Sequence, residues 1–178
     1  MEIAISNFTA KANRLKILLL IRHAKSDWGS PGVDDFDRSL NERGKKDAPL
    51  MAERLFDKRI GVDAFIASPA KRAAKTAKIF AEKYNRRKED ILFKKELYLP
   101  ASSVFYSVIE EMDDTLNSIA IFSHNNGITE FANMLTDARV DNIPTCGVFA
   151  VKIHCNSWKD FRKVKKDFWF FDYPKAIQ

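Results

Sequence analysis

Residues 16–28 read KILLLIRHAKSDW. Five consecutive apolar side chains, at 17–21, lie between a lysine and an arginine–histidine pair. That is the pattern of a strand buried on both faces, as strands of a parallel sheet are when helices cover them. VDAFIAS at 62–68 and SIAIFS at 118–123 repeat it, and the stretches between have helical character. Residues 41–59 carry Leu50, Met51, Arg54 and Leu55 at helical spacing. Pro49, inside that pattern, predicts a kink or a split, because proline removes a donor and crowds the preceding turn. A second helix is expected to reach about Tyr84, with Ser68 as N-cap and Pro69 at its first position. Residues 102–114 place Val104, Phe105, Val108, Ile109 and Met112 on one face, and residues 127–135 predict a fourth helix. A short strand at 91–95 and later strands at 148–153 and 166–171 complete the set. Strands alternating with helices imply a layered α/β fold with a mostly parallel sheet, each helix crossing between neighbouring strands.

A chain of 178 residues fits one domain. Residues 1–15 (MEIAISNFTAKANRL) show no sustained period and read as an N-terminal extension; residues 16–178 read as a single domain. With 46% hydrophobic residues, 14 of them Phe, global disorder is excluded. Cys146 and Cys155 are too few for a disulfide scaffold and lack zinc spacing, so they are expected as reduced, buried small hydrophobes. The longest apolar run is far short of the ~20 residues that cross a bilayer, and no cleavable signal precedes it. A cytoplasmic protein without membrane contact is the expectation. Thirty Lys and Arg against 24 Asp and Glu give a net charge of +6, which favours anionic partners: phosphate, nucleic acid or acidic protein. Basic residues are mildly dense at 71–78, 83–88 and 159–166, but they alternate with apolar positions. They read as solvated faces rather than a nucleic-acid groove.

In open parallel sheets, ligands sit beyond the carboxyl ends of the strands, where helix N-termini also point. Arg22 and His23 leave the first strand, His124 leaves the SIAIFS strand, and Arg72 falls in the first turn of the helix after VDAFIAS. Two imidazoles and two guanidiniums are thus expected on one edge. Each arginine offers a planar fork that matches two phosphate oxygens and stays charged at physiological pH. Phosphoryl transfer is largely positioning plus electrostatics, which this set supplies without a metal, a cofactor or an ATP-binding loop. One imidazole, neutral, is then the nucleophile. The other binds the oxygens as a cation, its pKa held up by the phosphate dianion. His154 reads as a strand residue near the edge, and the aromatic run at 168–171, with Tyr173, as packing for the last strand.

These residues resemble the histidine phosphatase superfamily, and within it the small SixA-type phosphohistidine phosphatases. LLLIRHAKSDW is similar to the family's Arg-His-Gly opening, FDRSLNERGKKDA at 36–48 to its Leu-Thr-x-x-Gly segment, and SPAKRAAKTA at 68–77 to its Ser-x-x-x-Arg-Ala-x-x-Thr-Ala helix. SHNNGI at 123–128 resembles its second-histidine motif and FWFFDYPKAI at 168–177 its Phe-x-x-Pro ending. The resemblance implies a three-layer sandwich of the phosphoglycerate mutase-like kind. It implies His23 as the phosphorylated nucleophile, Arg22 and Arg72 as phosphate ligands, His124 as the second histidine, and Ser68 and Thr76 as residues shaping the arginine-bearing helix. Three positions depart from common patterns: Ala24 for glycine, Asn126 for proline or aspartate, and Gly29 where mutases have asparagine. For the general acid, Glu96 in KKELYLP is the nearest positional candidate, with Asp27, Asp35 and Asp37 as rivals. The implied activity is metal-independent hydrolysis of phosphohistidine or small phosphomonoesters through a phosphohistidine intermediate. The alternative is a phosphate-binding module of the same fold without productive chemistry. Partners follow as a phosphorylated protein or small phosphorylated substrate, with neither nucleic acid nor membrane and no oligomeric state specified.

Overall fold

A computed structural model describes residues 15–28 and 32–176. Most of the expected N-terminal extension, together with Gly29 and Ile177, lies outside the described residues. The chain runs β1 (Leu15–Arg22), α1 (Glu42–Asp57), β2 (Ala64–Ala67), α2 (Lys71–Lys83), β3 (Ile91–Phe93), α3 (Ser102–Glu110), β4 (Ser118–Ser123), α4 (Gly127–Leu135), β5 (Val148–His154) and β6 (Lys166–Asp172). The six strands form one sheet in the order β3-β2-β4-β1-β5-β6. β1, β2, β3 and β4 are mutually parallel. β5 is antiparallel to both of its neighbours, β1 and β6. Five strands therefore share one direction, and the sheet is mostly parallel as the pattern predicts.

β1 shows why a continuous apolar run suits this position. Leu18 and Leu20 face a core shared with α3 and α4, whereas Leu19 and Ile21 face one shared with α1 and α2. All four are fully buried, each contributing on the order of 2 kcal/mol as an upper estimate. Because α1 and α4 leave β1 and β4 on opposite faces, the carboxyl ends of these adjacent strands frame the crevice of the sheet's topological switch. The architecture is an α/β sandwich with helices on both faces.

Several elements differ in detail from expectation. α1 continues through Pro49 as one helix; Pro49 lies on the exposed side, where the carbonyl it leaves without a donor can turn to water. α2 starts at Lys71 with Ala70 as its N-cap, so Ser68 and Pro69 precede the helix. α3 stops at Glu110 instead of 114, since Asp113 Oδ1 accepts from the Thr115 N–H at 2.7 Å, a local bond that competes with the helical one. Lys16 is fully buried: its ammonium donates to the Asp114 and Leu116 carbonyls at 3.0 and 2.6 Å and lies over the Trp158 ring. The aromatic run on β6 packs in part as expected, Trp169 and Phe170 against one core and Phe171 against the other, whereas Phe168 is exposed and meets the Phe149 ring. His154 sits at the β5–β6 edge, 2.6 Å from Asp167. Both cysteines are buried thiols, and burial raises their pKa values. Among the described residues, no helix is long and apolar enough to cross a membrane.

Candidate active site

The register of β1 on β4 places Arg22 opposite Ser123, so the residues that follow, His23 and His124, leave the sheet side by side. Their ring centroids are 5.0 Å apart. Both are buried at a cleft of about 280 Å³ that Arg22, Arg38 and Arg72 also line. The four residues expected to converge do so.

Arg72 reaches the cleft because α2 begins just after β2 ends. Its first turn is fastened to the segment that follows β1 by Thr76: the Ala24 N–H donates to Thr76 Oγ1 at 3.0 Å, and that hydroxyl donates to the Arg72 carbonyl at 2.7 Å. Ser68 has a different part from capping. Its Oγ accepts from the Ala70 N–H and stands 2.8 Å from His124 Nε2, so it fixes the second imidazole and leaves Nδ1 as the nitrogen without a protein partner.

The tautomer of His23 follows from its contacts. Nδ1 lies 2.8 Å from the Ala24 carbonyl oxygen, which can only accept, so Nδ1 carries the proton. Nε2 keeps its lone pair and accepts from Arg72 Nε–H at 3.2 Å. Burial, reinforced by Arg72, Arg22 and Arg38, lowers the His23 pKa to about 3. Burial likewise lowers that of His124 to about 3, with His23 and Arg72 acting in the same direction. Both rings are thus neutral near pH 7. For His124, Asp35 acts in the opposite direction; the cationic form expected from sequence belongs to a cleft holding a phosphoryl dianion, which would act in the same sense as Asp35.

Other residues complete the cleft. An isolated bridge between Ser26 and Leu40, with the Asp27 N–H donating to the Ser39 carbonyl, folds the loop after β1 back on itself. That brings in Asp35 and Arg38. Asp35 Oδ2 accepts from Arg72 at 2.8 Å and from the Tyr98 hydroxyl at 2.7 Å, while Oδ1 pairs with Arg38 at 2.7 Å; the Asp35 carbonyl takes a second bond from Arg72. Desolvation, the largest single influence, pushes the Asp35 pKa up, but hydrogen bonds from Tyr98 and Arg72 together with the charges of Arg72 and Arg38 outweigh it and hold the pKa down to about 2. Arg22 donates to Asn142 Oδ1 and the Ile143 carbonyl. Trp28, 76% exposed and stacked on Arg38, stands at the rim.

From sequence, Asp35 stands only as a rival acid, and Arg38, Tyr98 and Asn142 have no role. Arg38 lies within the quoted FDRSLNERG segment, so its position was available; Tyr98 and Asn142 carry no local signal. Glu96 is not brought to the cleft. It is exposed on a short 3-10 turn that directs its neighbour Leu97 into the core instead. Asp37 lines neighbouring surface grooves rather than this cleft. Among the described residues, no three His, Cys, Asp or Glu side chains gather as a metal ion would need.

Known proteins share this arrangement of chain. Residues 18–97 match the model of the histidine phosphatase superfamily (branch 1). An uncharacterized chloroplastic protein of Arabidopsis thaliana is 26% identical over 174 residues, which is 88% of this chain and 76% of that protein. Phosphoserine phosphatase 1 of Hydrogenobacter thermophilus is 43% identical over 70 residues, covering 38% of this chain and about a third, 32%, of that protein. Among solved structures, an Agrobacterium tumefaciens protein assigned as phosphohistidine phosphatase SixA superposes with a TM-score of 0.75 at 25% identity, over 89% of this chain and 98% of that one. A protein histidine phosphatase SixA in complex with tungstate also superposes with a TM-score of 0.75, at 16% identity, over 89% of this chain and 97% of its own. Residues 18–97 are thus similar to the histidine phosphatase superfamily, and the fold of the chain is that of the SixA structures.

Proposed function

We propose that this protein is a phosphatase that hydrolyses phosphohistidine or small phosphomonoesters through a phosphorylated His23, without a metal ion. The observation carrying the reading is the neutral His23 ring, with Nδ1–H given to the Ala24 carbonyl and the Nε2 lone pair directed at Arg72 in a cationic cleft. A protonated imidazole has no lone pair to attack with; this one keeps it across the physiological range.

Nε2 attacks phosphorus, the N–P bond forms, and the bond to the leaving nitrogen or oxygen breaks with its electron pair going to the leaving group. Arg72 and Arg22 bind the equatorial oxygens as their charge grows. His124 Nδ1 serves the same oxygens once the phosphoryl dianion raises its proton affinity. A phosphohistidine substrate brings a ring that can already be protonated, so it departs without a carboxylic acid from the protein. Glu96, exposed and outside the cleft, is given no part. Water then attacks phosphorus, the N–P bond breaks, and neutral His23 returns with inorganic phosphate released.

The test is labelling with a radiolabelled phosphoryl donor. A phosphoenzyme stable in alkali and lost in acid is expected from the wild type and absent from His23→Ala. A folded His23→Ala protein that keeps full turnover overturns the proposal, as does activity abolished by EDTA and restored by a divalent cation. A wild type that binds phosphate but never labels or turns over indicates a binding module.

A further inference from the structure

Beside the catalytic cleft lies a second, larger depression of about 610 Å³. Its floor is apolar, made by Phe36, Ala74, Ile91 and Phe93. Its rim is basic: Lys71, Lys75 and Lys78 follow one face of α2 at helical spacing, and Lys88 stands across from them. Two carboxylates, Asp37 and Glu89, interrupt the four lysines. Glu89 is taken up by Lys88 at 3.6 Å and Lys78 leans on Glu82 at 3.8 Å. Among the described residues, Lys71 and Lys75 form no ion pair, and both are exposed. Phe36 and Phe93 are 38% and 49% exposed, an unusual amount of aromatic surface to leave beside mobile ammonium groups. Here the mildly basic 71–78 stretch is a wall of a concave surface rather than a simple solvated face.

The groove is continuous with the reaction centre. Lys71 adjoins Arg72, and Phe36 adjoins Asp35, the partner of Arg72. Phe36 also meets Tyr98 edge to face at 5.1 Å, and Tyr98 in turn meets His124 at 5.5 Å. A polypeptide whose phosphoryl group enters the cleft can therefore lay its neighbouring residues along α2. We infer that this groove docks an acidic, apolar-containing segment of a phosphorylated protein, Asp or Glu side chains meeting the lysines and apolar ones resting on Phe36 and Phe93. The interrupting Asp37 and Glu89 disfavour a nucleic-acid backbone, whose charge repeats without gaps, whereas spaced carboxylates of a peptide can avoid them. The inference deepens the proposed function by naming what flanks the phosphoryl group.

Two readouts separate the inference from the catalytic reading. In the first, a fluorescein-labelled, unphosphorylated peptide alternating Asp or Glu with Phe or Leu is titrated against the protein by anisotropy at low salt. The Lys75→Glu/Lys78→Glu double variant is expected to weaken its binding about tenfold. Lys159→Glu/Lys163→Glu, the same charge change at exposed positions away from the groove, is expected to leave it within about twofold. In the second, the groove variant raises KM for an acidic-flanked phosphopeptide by a similar factor and leaves turnover of an aryl phosphate unchanged. Equal losses in both double variants, no peptide binding by the wild type, or oligouridylate binding more tightly through the same lysines would each overturn the inference. If the wild type turns over nothing, the catalytic proposal fails while the anisotropy comparison still decides the groove.

Discussion

Replacing His23 with asparagine is expected to flatten the acid side of the stability profile, and the size of the effect follows from burial. An imidazole titrates near 6.5 in an unfolded chain, whereas His23 is held to about 3 in the folded one. Because the folded pKa is depressed, the contribution to stability is complete above pH 6.5. It is lost as pH falls from there towards 3, since the unfolded chain takes up a proton that the folded one refuses. Between pH 7 and pH 5 that loss is about 2 kcal/mol for one such group, at 1.36 kcal/mol per pKa unit. His124 behaves alike, so the wild type should lose up to about 4 kcal/mol over this interval, a large share of an ordinary domain's stability. His23→Asn removes one titration, and it also removes one of the influences that depress His124. Its drop should therefore be smaller than that of the wild type by about 2 kcal/mol or slightly more. Urea denaturation followed by tryptophan fluorescence at pH 7 and pH 5 measures both drops. Comparing the drops cancels the titrating groups away from His23 and His124, and any offset at pH 7. Equal drops in the two proteins would refute the assignment of a neutral, buried His23.

Four further outcomes are expected. Thr76→Val leaves the buried Ala24 N–H without its acceptor; urea denaturation should show a loss of about 1–3 kcal/mol, with kcat falling more than KM rises and Thr76→Ser restoring both. In Gly44→Ala the new Cβ would run into the Lys25 carbonyl, costing about 1–3 kcal/mol by thermal or urea denaturation. Gly61→Ala, with nothing within 4 Å of its Cβ, should be neutral or slightly stabilising. Asp35→Asn withdraws the carboxylate that occupies Arg72, so inhibition by inorganic phosphate should tighten several-fold at pH 7; unchanged inhibition would mean that Asp35 does not compete for that guanidinium.

The parts legible in the sequence are those written in local pattern. β1, β2 and β4 announce themselves because strands buried on both faces must be apolar throughout, and Arg22, His23 and His124 can be placed because they end two of those runs. Gly127–Leu135 is a helix with the expected bounds. What escaped depends on contacts between distant positions. Ser68 looks like an N-cap by residue type, yet its hydroxyl is held by His124, 56 positions away, and the helix starts later. Lys16 looks like a charged boundary, yet carbonyls about 100 residues away accept its ammonium in the interior. Glu96 looks well placed in the order of motifs, but the turn at Lys95–Leu97 has one side to bury, and Leu97 takes it.

The charge state of the histidines shows why residue types alone under-determine this site. Arg22, Arg38, Arg72 and Lys25 line the cleft with one carboxylate, Asp35, among its described lining residues. Under the proposed function that imbalance would serve attack, because positive neighbours help to keep the lone pair on His23. It would also serve binding, because the same guanidiniums would face an anion. The two uses conflict with folding, since like charges and two unprotonated imidazoles are gathered out of water. Asp35 relieves part of the conflict by taking hydrogen bonds from Arg72 and Tyr98 and pairing with Arg38. It does so at 42% side-chain exposure, on a loop rather than a buried strand. On the proposed reading, a phosphoryl group would therefore displace it from Arg72 without opening the core, whereas His23, Thr76 and Arg72 remain fixed to one another by β1 and the first turn of α2.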